Sequence, residues 1–188
     1  MIKQPRTHGA IERQAQLEQS LLELMQDTHY SRITVTDICR HAAIPRRTFY
    51  NHFDSKEAVL DSVIEHIMQQ CSLEVMFDFG GSLEDLKSSL TRNFRYWMRE
   101  GRTILEVLMD NGLQGQLVAH AMKWVISEKP SFSRSPGLSA KQIEIITMAA
   151  AAGFFTILEY WRNNNYLESP EEIAEYTAWF LAEPLFQG

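Results

Sequence analysis

Cysteine is scarce in this chain, and strand-like alternation is missing. The two cysteines, Cys39 and Cys71, lie far apart and form no CxxC pair. This favours a reduced cytosolic compartment over a disulfide framework, with a redox-sensing thiol as the alternative use. No stretch alternates apolar and polar residues over the length of a strand, so strands are not expected. The longest apolar run, around Met148 to Leu158, is short and interrupted, and no signal peptide opens the sequence. A soluble, cytoplasmic protein without a membrane partner is the expectation.

The motifs of common enzymes are missing too. There is no GxxxxGK[ST] or GxGxxG to cradle phosphate, no HExxH and no GxSxG elbow. The six histidines, at positions 8, 29, 41, 52, 66 and 120, form no pair at helical ligand spacing, and none has a Glu three residues before it. No catalytic residue, metal site or cofactor is therefore expected.

What the chain does have is an uneven charge. The net charge is −6, yet residues 1–52 hold seven Lys/Arg against five Asp/Glu, while residues 53–188 hold eleven against nineteen. A positive end on an acidic protein is the footprint of a local contact with nucleic acid.

That end contains the stretch ITVTDICRHAAIPRRTFYNHFDSK, residues 33–56. Thr34 with Asp37 forms a capping box at the head of one helix, with Val35, Ile38 and Ala42 sharing an apolar face. Ile44-Pro45 breaks the chain, and proline suits the first turn of a following helix. In that second helix Phe49 and Phe53 fall four apart and face inward, so Arg47, Thr48, Tyr50 and Asn51 project outward. Arg suits guanine edges and Asn adenine edges, while hydroxyls suit phosphate. The competing reading is an amphipathic hairpin with a solvated face. Capping, break and side-chain chemistry together favour a DNA-binding helix-turn-helix.

The runs Thr34-Val-Thr-Asp-Ile, Arg47-Thr-Phe-Tyr-Asn-His-Phe and Ser55-Lys-Glu-Ala resemble the DNA-binding domain of TetR-like bacterial transcriptional regulators. The likeness covers about the first third of the chain. It implies an all-α homodimer whose three N-terminal helices bind a palindromic operator in double-stranded DNA, and whose larger helical bundle dimerises and binds a small-molecule effector. Carried onto this sequence, it implies DNA contacts from Thr34, Thr36, Arg46, Arg47, Thr48, Tyr50, Asn51, His52 and Lys56. Among these, Tyr50 and Lys56 would grip phosphate, and His52 would either touch phosphate or pack. The sequence departs from the family pattern in the turn, where Ala43 stands at a usual glycine and Pro45 at a usual small hydroxyl residue.

Residues 1–9 have no apolar period and form a mobile arm, either frayed or reaching a minor groove. Leu17, Leu21, Leu24 and Met25 mark a first helix from Ala10 to about Thr28. Asp54, with Glu57, caps a long helix that ends near Cys71, and Gly80-Gly81 stops the pattern. Further helices are expected from Ser82 to Gly101, over Thr103–Asp110, from Leu113 to Ser127, from Ser139 to Asn163 and from Pro170 to Ala182. A Ser- and Pro-rich loop fills 128–137. The expectation is about nine helices, with a DNA-binding domain over 1–54 and an effector-binding and dimerisation domain over 55–188.

The helix from Ser139 is apolar nearly all round, so a partner covers its second face or it is a single buried central helix. On the first reading Ile145, Ala149, Ala152, Gly153, Thr156 and Tyr160 form a dimer seam with Ile173, Tyr176, Thr177 and Phe180. Phe94, Trp97, Met98, Met122, Met148 and Phe155 are candidates for an effector pocket, with plain core as the alternative. The functional expectation is a ligand-responsive repressor. The alternative is a DNA-anchored adaptor whose bundle binds a protein.

Overall fold

The computed structural model describes residues 7–70, 82–128 and 139–186. Among them the chain forms nine α-helices: α1 (His8–Asp27), α2 (Val35–His41), α3 (Arg46–His52), α4 (Lys56–Gln70), α5 (Leu83–Met98), α6 (Arg102–Asp110), α7 (Gln114–Glu128), α8 (Ala140–Asn163) and α9 (Pro170–Phe186). A single 3-10 turn, Tyr30–Arg32, joins α1 to α2. The all-α class is as the sequence implied. Cys71, the break at 76–81 and the Ser/Pro-rich loop from residue 129 onward lie outside the described residues, as do residues 1–6 of the expected arm. The rest of that arm caps and opens α1.

Helix starts follow local chemistry. Capping boxes form at Thr34 with Asp37, Ser82 with Asp85, and Ser139 with Gln142. At α9 the Ser169 hydroxyl accepts from the Glu172 amide while the Glu172 carboxylate accepts from Ser169. Each pair satisfies donors that a helix cannot satisfy internally. At the head of α4 the Ser55 hydroxyl, next to the expected Asp54, accepts from the Ala58 amide.

The chain folds as two compact units. The first comprises Met1–Ile67 with Glu106–Gly112, and the second Met68–Leu105 with Leu113–Gly188. The boundary therefore falls inside α4 and α6, later than the 54/55 division expected from sequence. Within the first unit Leu17, Leu21, Ile38, Phe49, Phe53 and Ile64 are fully buried. This core pins α2 and α3 against α1 and α4.

In the second unit α5 packs along α9, and α8 packs against α7 and α9. Phe94, Trp97, Phe154, Phe155 and Trp161 form its aromatic centre, with Phe94 to Phe154 at 5.0 Å and Phe94 to Trp161 edge-on at 5.4 Å. Gly101 is required here, because a Cβ on it would meet the Trp97 ring at 2.9 Å. The 24 residues of α8 are long and apolar enough to cross a bilayer, contrary to the expectation from Met148–Leu158 alone. Ile145, Ile146, Tyr160 and Trp161 extend the apolar character past that run. In the fold its Ala151, Phe154, Leu158 and Trp161 are buried within the bundle.

Candidate nucleic-acid interface

The candidate site is the outward face of α3 and the turn before it. α2 ends in a Schellman arrangement: the Ile44 amide donates to the Cys39 carbonyl at 2.9 Å, and the Ala43 amide to Arg40 at 3.3 Å. Such a cap puts its next-to-last residue in the left-handed region, and Ala43 has φ 51°. Alanine is disfavoured there by a clash of Cβ with the following carbonyl, which costs about 1–2 kcal/mol. Pro45 then opens α3 without a side-chain cap. The Gln16 amide crosses from α1 to donate to the Ala42 carbonyl at 2.8 Å.

Phe49 and Phe53 are fully buried with ring centroids 6.0 Å apart, which fixes α3 in rotation. Arg46, Arg47, Tyr50 and Asn51 are exposed on the opposite side, and Thr48 is half-buried. Tyr50 is held edge-on to Phe49 at 5.4 Å. Arg46 donates to the Tyr50 hydroxyl at 3.3 Å with its guanidinium 5.9 Å from the ring. The face thus offers an exposed guanidinium at Arg47, an amide at Asn51, and a paired Arg46–Tyr50 unit.

Three expected contact residues are otherwise committed. The Thr34 hydroxyl accepts from the Asp37 amide and donates to its carboxylate at 2.5 Å, so it has no proton left for phosphate. Those bonds from Thr34 hold the Asp37 carboxyl below its usual range. His52 is buried, which favours packing over a phosphate contact. Lys56 donates to the carbonyls of Tyr30 at 2.8 Å and Ile33 at 2.9 Å. Thr36 stays exposed. The Tyr30 phenol is pushed well above its ordinary value, chiefly by burial.

Sequence reasoning missed Gln16, the Lys56 clip and Asn111. Asn111 is buried in the same unit, where it accepts from the Tyr30 amide and donates to the Met25 carbonyl at 3.3 Å. In the sequence Asn111-Gly112 reads only as a helix stop, and no local signal marks a partner 86 residues away.

On the second unit, the α8 residues of the expected seam differ in exposure. Ile145, Ala149, Thr156 and Tyr160 are exposed, and Ala152 and Gly153 half-buried, with Gly153 facing the Phe180 ring. On α9 the phase differs. Ile173 and Thr177 point inward, and Thr177 is 1% exposed with its hydroxyl donating to the Ile173 carbonyl. Its outer face is Tyr176, Phe180 and the unanticipated Trp179, the last 64% exposed.

Of the pocket candidates, Phe94, Trp97 and Phe155 are core residues, with Trp97 and Phe155 in edge contact at 6.3 Å. Met98, Met122 and Met148 are half-buried. The Trp97 indole N–H has no hydrogen-bond partner among the described residues. A groove of about 500 Å³ between α5 and α9 is lined instead by polar residues, including Lys87, Arg92, Arg95 and Glu171.

A helix pinned by two phenylalanines, displaying Arg and Asn beyond a tight turn, is the arrangement of a helix-turn-helix. Residues 20–63 match the family described as bacterial regulatory proteins, tetR family. The HTH-type transcriptional regulator YxbF of Bacillus subtilis is 22% identical over 166 residues, spanning 86% of this chain and 43% of that protein. The dhaKLM operon transcriptional activator DhaS of Lactococcus lactis is 43% identical over 44 residues, 23% of this chain and 24% of that one. The matched stretch thus spans less than half the length of either curated relative. A TetR transcriptional regulator from Streptococcus agalactiae shares the fold with TM-score 0.64 at 16% identity, over 92% of this chain and 95% of that one. Residues 20–63 thus resemble the DNA-binding segment of tetR-family regulators, and the described helices share the fold of a solved regulator of that kind.

Proposed function

We propose that the chain is a ligand-responsive repressor that binds a palindromic operator as a homodimer in the cytoplasm. The observation that carries the reading is the exposed Arg47 and Asn51 on a helix whose rotation the buried Phe49 and Phe53 fix. Bidentate Arg–guanine and Asn–adenine contacts in the major groove are its chemistry. The exposed apolar residues Ile145, Tyr160, Tyr176, Trp179 and Phe180 support a second copy as partner. Two-fold symmetry in the protein is then matched by two-fold symmetry in the site. Repression needs only that the bound dimer occlude a promoter, whereas activation requires a further contact. The relative DhaS is named an activator, so the sign of regulation has to be read directly.

An effector would act from the second unit, where the Trp97 indole N–H, among apolar rings, has no hydrogen-bond partner among the described residues. It alters DNA binding only if the two states of the dimer bind it with different affinity. The test is selection of duplexes from a random pool, followed by sedimentation of the complex and transcription from the selected site. An enriched inverted repeat bound by two chains, with lowered transcription, is the expected result. Enrichment of a single half-site bound by one chain rejects the dimer, raised transcription rejects repression, and no enrichment rejects base reading.

A further inference from the structure

We propose that Gln16 is a positioning residue for the recognition helix, clipping the turn that Ala43 holds in the left-handed region. The proposal rests on α3 being the DNA-reading element. The last carbonyls of a helix have no partner within it. At the end of α2 the Ala42 carbonyl is such a group, and the Gln16 amide donates to it at 2.8 Å. The next residue, Ala43, has φ 51°. Glycine takes that conformation freely, and Asn or Asp can support it with a local hydrogen bond, but alanine has neither resource. The turn is therefore set against its own residue preference. It is held from two sides: by the Ile44 amide on the Cys39 carbonyl, and by Gln16 from α1.

What the turn fixes is direction. Pro45 and Arg46 follow within three residues of Ala43, so a change of its backbone angles re-aims Arg47 and Asn51 together. Gln16 itself lies off the buried face of α1, which is formed by Gln14, Leu17, Leu21 and Met25. Its removal therefore leaves the core intact and removes one donor from one carbonyl.

The experiment uses the full chain with Gln16→Met and Gln16→Lys, each with and without Ala43→Gly. Two quantities are read: amide hydrogen exchange at Ala43 and Ile44 in the free protein, and the ratio of affinities for the selected operator and an unrelated duplex of equal length. Gln16→Met should speed exchange and lower the ratio, each by about tenfold, the effect of losing one net hydrogen bond of typical strength. Its salt dependence should not change. Gln16→Lys keeps a donor and should exchange like the wild type, and Ala43→Gly should remove most of the Gln16→Met loss of ratio.

Unchanged exchange in Gln16→Met overturns the clip. An equal loss of ratio with and without Ala43→Gly also overturns it, because Gln16 would then touch DNA itself. If the wild type prefers no duplex, it is the reading of α3 that fails, and the exchange measurement alone decides the role of Gln16.

Discussion

The ammonium of Lys56 stands 4.3 Å from the centre of the Tyr30 ring and donates to that residue's own carbonyl at 2.8 Å. With the Ile33 carbonyl as a second acceptor, Lys56 staples the α1–α2 connection to the head of α4. Its charge is satisfied inside the protein. Lys56→Met should therefore cost about 2 kcal/mol of stability, the loss of charge-assisted hydrogen bonds and a cation–π contact. Thermal melts and DNA binding across a salt series check this. A lost phosphate contact would instead lower the salt slope by about one per subunit without lowering the melting temperature.

Arg47 and Asn51 are expected to carry base preference. Replacing either with Ala should cost about 1–3 kcal/mol at one operator position and leave binding to unrelated duplexes nearly unchanged. Binding to single-base operator variants is the measurement. Arg46→Ala acts differently, because it removes the guanidinium that pairs with the Tyr50 hydroxyl and ring. It should weaken all duplexes about equally, as loss of a backbone contact does.

Acid stability should follow the capping carboxylates. Asp37 is held below its ordinary range by the Thr34 hydroxyl and amide, and Asp85 and Glu172 by the amide and hydroxyl of Ser82 and Ser169. A carboxyl lowered in the folded state adds stability that is complete above its unfolded value, near pH 4. That stability is lost as pH falls through the lower folded value. Asp37→Asn, Asp85→Asn and Glu172→Gln combined should flatten the stability curve below about pH 5. An unchanged acid limb in denaturant titrations would show that these caps do not set it.

Charge placed on the outer face of α8 and α9 should separate dimers without unfolding them. Tyr160 is 57% exposed and Trp179 64% exposed, so Tyr160→Glu with Trp179→Glu disturbs no monomer core. Sedimentation should give single chains with unchanged helicity. A persistent dimer would place the seam elsewhere. The same pair of charges at Ile173 and Thr177 would unfold the bundle, since both are buried.

The helix-turn-helix geometry was legible because its signals are local. Thr34 and Asp37 lie three residues apart, Phe49 and Phe53 four, and each pair reports its own helix. The four side-chain boxes, and with them most helix starts, were legible for the same reason. At α4 two neighbouring residues, Asp54 and Ser55, both suit a cap, and the sequence alone does not mark the bond from the Ala58 amide to Ser55. The phase of α9 was lost because Ile173 and Tyr176 are both apolar and only the fold decides which faces α5. Gln16 and Asn111 were illegible because the value of an amide side chain depends on a carbonyl brought to it from far along the chain.

Asn111 also bears on how the protein is made. The carbonyl of Met25 and the amide of Tyr30 find their partner only on a segment that includes Gly112, well after Ile67. A ribosome adding about 5–20 residues per second needs a further 2–9 seconds or so to cover that interval of about 45 residues. Through that delay the nascent head has its helices but not its final fastening. A gene fragment that stops before Glu106 makes that interim state permanent.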